Sequence, residues 1–88
     1  MSVFASTTST GNWSALSTWT QDGAAATRLP GDGDSVIINT GHAITLDVPA
    51  TIGAGTGVAL QIGSGGTPTT PTTLRVAAPL TVKGNVDF

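Results

Sequence analysis

This chain is short of the long, straight side chains that usually build helices. Glutamate is absent, lysine and methionine occur once each, and glutamine twice. These straight-chain residues rank among the best helix formers. In their place stand Thr and Ser, which together make up about a quarter of the residues, and 12 glycines and five prolines. Such a mixture favours strands broken by tight turns. The chain is therefore expected to be all-β. At 88 residues it makes one small domain, burying roughly 60–65% of its unfolded surface. It has no cysteine, so neither a disulfide nor a thiolate zinc site adds to that core. The remaining sources of stability are association with copies of itself, up to a trimer, or chain continuing beyond residue 88. Asn85–Phe88 still reads as strand, which fits either source.

Charge excludes several partners. The net charge is −2 and charged residues are 9% of the chain. Arg28, Arg75 and Lys83 are too few and too scattered for a nucleic-acid stripe. No apolar run approaches the ~20 residues of a membrane helix. Met1–Ser6 has neither the basic region nor the apolar stretch of a secretory signal, so synthesis in the cytoplasm is expected. The first ten residues are small, polar and aperiodic, and read as an extended arm.

Punctuation marks the rest. Leu29-Pro30-Gly31-Asp32-Gly33-Asp34 is dense in turn chemistry. A β-branched strand follows from Ser35 to Asn39, then Thr40-Gly41, then an alternating strand from His42 to Val48 with Ile44, Leu46 and Val48 on one face. Val58, Leu60 and Ile62 share a face, as do Leu74 and Val76, Leu80 and Val82, and Val86 and Phe88. Ala24–Ala26 reads as loop. Residues 63–73 are low in complexity and read as an exposed loop. About seven short strands result, in one domain spanning 11–88. Two arrangements fit them: a β-solenoid of stacked parallel strands, or a β-sandwich of hairpins. The stretches between the strands lack Asn-Gly hairpin signals, which favours the solenoid.

One stretch carries a resemblance. Gly11-Asn12-Trp13-Ser14, Thr18-Trp19, Pro30-Gly31-Asp32-Gly33-Asp34-Ser35-Val36-Ile37-Ile38 and Gly41-His42-Ala43-Ile44-Thr45-Leu46-Asp47 together resemble the amino-terminal cap of right-handed parallel β-helix proteins. The same stretch is similar to the eight-glycine domain of surface proteins. The likeness covers residues 11–47. It implies a short-stranded solenoid whose exposed end is closed by Trp13 and Trp19, with Asp32 and Asp34 in the turn that follows. Such caps occur on phage virion proteins, bacterial surface proteins and carbohydrate-active enzymes.

No reactive constellation emerges. Gly31-Asp32-Gly33-Asp34 has two carboxylates where calcium takes six to eight oxygens, and reads as a turn. His42 stands alone, and Ser14, Ser17 and Ser35 have no evident base. Asp47 and Asp87 do not read as a catalytic pair. Gly53-x-Gly55-x-Gly57 lacks the lysine and helix of a phosphate loop. Asn12-Trp13-Ser14 matches a glycosylation sequon that a chain without a signal would not use. The expectation is a non-catalytic part of a phage virion, with no cofactor or metal: a tail-fibre or spike amino-terminal region, or a capsid decoration protein. Val3, Phe4 and Phe88 are the expected docking residues for other virion proteins and for further copies. The alternative is the cap of a secreted or surface carbohydrate-active protein or adhesin, where glycan contact through the tryptophans would be weak.

Overall fold

A computed structural model describes residues 2–55, 57–63 and 72–87. It is all-β, with mixed sheets in a small compact domain. The strands are β1 (Val3–Ser6), β2 (Thr10–Asn12), β3 (Trp19–Gln21), β4 (Ala24–Ala25), β5 (Ser35–Ile38), β6 (Ala43–Leu46), β7 (Ala50–Ile52), β8 (Val58–Ile62), β9 (Thr73–Val76), β10 (Leu80–Val82) and β11 (Asn85–Asp87). A single 3-10 turn, Leu16–Thr18, is the only helical element among the described residues.

Three sheets result. One runs β11-β8-β5-β1-β3-β4, the second β2-β6-β9, and the third β7-β10. All pairings are parallel except β1 with β3 and β3 with β4. Register stacks like side chains on like. Phe4 lies beside Val36, Val36 beside Leu60, and Leu60 beside Val86. Ile44 lies beside Leu74 and Leu46 beside Val76. Ile52 lies beside Val82 and Thr51 beside Thr81. A residue that points inward on one strand therefore points inward on its neighbour, because side chains alternate with period two.

The alternation in β5 and β6 appears directly as burial: Val36, Ile38, Ile44 and Leu46 are buried, and the residues between them are partly exposed. Corners are set by backbone chemistry. Gly53 has φ +97°, and a Cβ there would lie 2.2 Å from the Lys83 carbonyl oxygen. Only glycine lets these two corners touch. Gly41 (φ +83°) turns the chain between β5 and β6, closed by the His42 N–H donating to the Asn39 carbonyl.

Two expectations are corrected. Val3–Ser6 is no free arm. It is a strand inserted between β3 and β5, and Phe4 is fully buried in the core. Burying one large ring outweighs the small, polar character of its neighbours. The stretch after Trp19 is a hairpin, with Ala24 pairing Gln21 across Asp22-Gly23. Both turn residues have positive φ, 52° and 85°, as the two-residue type I′ turn demands, and Asp-Gly is a preferred pair there. The expected exposed loop lies mostly outside the described residues.

Candidate functional site

The chemistry-bearing residues collect at the end of the molecule built from β1, the β3–β4 hairpin and the turn before β5. Trp13 and Trp19 meet there edge to face, with ring centroids 5.0 Å apart and planes at 73°. The Trp19 indole N–H donates to the Trp13 carbonyl at 3.0 Å. Both are almost fully buried, at 1% and 2% exposure. Both indoles are packed into the interior, with little ring surface left for a sugar to stack on.

Asp34 is the polar centre of this end. Its carboxylate is buried and accepts four hydrogen bonds. Two come from the Arg28 guanidinium, at 2.5 and 2.9 Å, one from the Ser2 N–H at 2.9 Å and one from the Gly31 N–H at 2.8 Å. A bidentate arginine with two backbone donors satisfies a buried carboxylate. The Arg28 hydrogen bonds, ahead of the two backbone donors, outweigh desolvation and hold the Asp34 carboxyl down at about 2. The same guanidinium lies 5.2 Å from the centre of the Phe4 ring, within cation–π range. Asp32, by contrast, is exposed and forms an ion pair with Lys83. The two aspartates of the motif thus part company: one is internal scaffolding, the other ties neighbouring corners at the surface.

Asp22 and Asp47 clamp chain segments in the same manner. Asp22 accepts the Val3 N–H at 2.9 Å, which with Ser2 lowers its pKa. Asp47 accepts both the hydroxyl and the N–H of Ser14, at 2.6 and 3.0 Å, and its pKa is lowered chiefly by that hydroxyl. Ser14, expected to have no base, thus has an ionised carboxylate as acceptor, one that its lowered pKa makes a weak base.

One contact escaped sequence reasoning. Ser6 Oγ lies 2.7 Å from His42 Nδ1, and it accepts the Asn39 N–H at 2.8 Å. The pair joins β1 to the turn before β6, across 36 positions, and no local pattern marks it. Ser6 is 2% exposed. Between them, Ser6 and His42 tie β1 to that turn from inside the fold. An open groove of about 420 Å³ runs beside Leu16, Trp19 and Ala24–Ala26. Its lining holds no ionisable group, only the hydroxyls of Thr7, Ser17 and Thr20. Among the described residues no three His, Asp or Glu side chains converge.

Of the expected docking residues, Val3 is exposed, Phe4 is core, and Phe88 lies outside the described residues. Phe4 cannot dock a partner because it fills the molecule's own interior. The exposed large apolar side chains are spread over the molecule: Val3 on β1, Leu16 in the 3-10 turn, Val58 on β8, and Val76 and Val86, 55% and 42% exposed, on the edge strands β9 and β11.

No protein-family model matches this chain, and no curated protein or solved structure is detectably similar to it.

Proposed function

We propose that this chain is a non-catalytic structural module, the closed first turns of a parallel β-solenoid, and that it serves as an assembly part of a phage virion. The observation that carries the structural reading is the asymmetry of its two ends. Three sheets of parallel strands stack in matched register. At one end the stack is finished by antiparallel β3 and β4 and by the packed tryptophans. At the other end β9, β10 and β11 are all edge strands. Edge strands are templates for further strands; among the described residues the edges at the first end are β4, β2 and β7, of which β4 is antiparallel and breaks the parallel series, whereas β9, β10 and β11 continue it. The buried polar groups are spent on holding the closed end together.

The virion setting rests on the cap resemblance of residues 11–47 and on the economy of charge, which suits close protein packing over electrostatic capture. The alternative is the cap of a surface-attached carbohydrate-active protein, and the buried indoles weigh against a sugar-binding part for this segment. The test is to tag the chain in the genome that encodes it and purify particles on a density gradient. The expected result is that the tag travels with intact virions in a fixed ratio to the major capsid protein. Recovery only with the cell envelope or the culture medium overturns the virion reading.

A further inference from the structure

The open end is chemically uneven, and that unevenness selects an occupant. Each of its three edge strands presents inward apolar residues and outward polar ones. On β9, Leu74 and Val76 stack over buried Ile44 and Leu46, so Arg75 points outward beside Thr45. On β11, Val86 stacks over buried Leu60, so Asp87 points outward beside Gln61. On β10, Leu80 and Val82 lie beside Ala50 and buried Ile52, so Thr81 points outward beside Thr51. One edge thus carries a cation, one an anion, and one a neutral hydroxyl.

From this we infer that the open end binds a second copy of the same chain, end to end, about a two-fold axis through the β10 face. The inference rests on the solenoid reading above. Stacking head to tail is opposed on the largest sheet, where antiparallel β3 and β4 stand where a parallel coil would have to pair, and only the two- and three-stranded sheets end there in parallel edges, β7 and β2. Stacking open end to open end makes every new pairing antiparallel. A two-fold axis perpendicular to the stack passes through one face and exchanges the other two. Through β9 it sets Arg75 near its own copy, and through β11 it sets Asp87 near its own copy. Like charges on adjoining strands destabilise. Through β10 it exchanges β9 and β11. With Val76 opposite Val86 of the second copy, Arg75 falls opposite that copy's Asp87, and the symmetry makes this pair twice. On the axis, β10 pairs with itself about Thr81, Leu80 facing Val82. Val76 and Val86 are covered, the edges that β9, β10 and β11 present among the described residues are paired, and the assembly is closed, with two capped ends pointing outward.

The experiment uses the 88-residue chain. Sedimentation equilibrium from micromolar to millimolar concentration is expected to show monomer and dimer and nothing larger. Arg75→Asp weakens the dimer about tenfold, the scale of two lost cross-strand charge pairs, and adding Asp87→Arg restores it. Because the chain has no cysteine, Thr81→Cys joins two copies under mild oxidation. Arg75→Cys does not, since its two copies lie on exchanged faces. Circular dichroism at micromolar concentration confirms that each variant is folded. A folded chain that stays monomeric, or forms trimers or open polymers, overturns the dimer while leaving the cap reading intact. A dimer whose Thr81→Cys form does not cross-link overturns this axis. The solenoid reading itself fails separately, if cross-strand nuclear Overhauser contacts between β5 and β8 do not match the parallel register of Val36 with Leu60.

Discussion

Four donors converge on one carboxylate at Asp34 and tie Ser2, Arg28 and Gly31 to one point. The folded pKa is about 2 against an ordinary value of 3.8. A lowered carboxyl pKa means that the unfolded chain binds the proton first. The stability from this group is therefore complete above pH about 4 and is lost as the pH falls through about 2. The difference is worth about 2 kcal/mol. Urea melts between pH 5 and pH 2 are expected to lose that amount in the wild type, and Asp34→Asn is expected to flatten this part of the profile. Asp34→Ala leaves Arg28 and two backbone N–H groups without their acceptor and is expected to cost about 3 kcal/mol at pH 7.

The two tryptophans differ in one bond. Trp19 donates its indole N–H, whereas the Trp13 Nε1 finds no acceptor among the described residues. Replacing either by alanine is expected to cost about 3–5 kcal/mol, which in a domain this small approaches the whole stability. Phenylalanine separates them. Trp19→Phe loses a buried hydrogen bond, and Trp13→Phe removes only an unsatisfied donor. Thermal melts are expected to place Trp13→Phe above Trp19→Phe, by about 1 kcal/mol.

Among the elements, β1 carries the largest revision and the plainest consequence. It sits between β3 and β5, with Phe4 in the core and its ends held by Asp22 and by the Ser6–Asn39 bonds. Removing residues 1–6 is expected to unfold the domain, seen as loss of near-ultraviolet ellipticity from the buried tryptophans. Phe4→Ala is expected to cost about 3–5 kcal/mol. Folded, cooperative melting after the deletion would show that β1 is an accessory strand.

How much of this was legible in the sequence follows from how local each signal is. β5 and β6 were readable because Val36, Ile38, Ile44 and Leu46 alternate within single strands. The hairpin's Asp22-Gly23 was present as a turn signal but has only Ala24–Ala25 after it, and a two-residue strand has no period. β1 shows one large apolar residue among small ones, so its burial depends on a slot that only β3 and β5 create. Asp34 and Asp32 are indistinguishable as letters, and only the return of Ser2 and Arg28 to the same place separates them.

At the scale of the whole molecule, order is laid down along the stack. Strands in the interior of the sheets are the most buried and doubly paired: β1 lies between two neighbours, and β5 and β6 are central in their sheets. β9 and β11 are mostly exposed and β10 half-buried, and among the described residues each of the three pairs on one side only. Local opening energies follow contact density and burial. Amide exchange at micromolar concentration is therefore expected to fall into an ordered series. The slowest exchange belongs to Phe4, Val36 and Ile44, an intermediate rate to Leu60 and Ile52, and the fastest to β9, β10 and β11. Raising the concentration separates two causes of protection. If the open end pairs with a second copy, β9–β11 slow down while β1 and β5 do not change, because only the edges gain partners. Uniform slowing of every strand would instead mean that association stabilises the fold globally, by mass action on a single cooperative unit. No slowing at all would mean that the edges of β9–β11 gain no partner, and that the domain holds its shape without a neighbour.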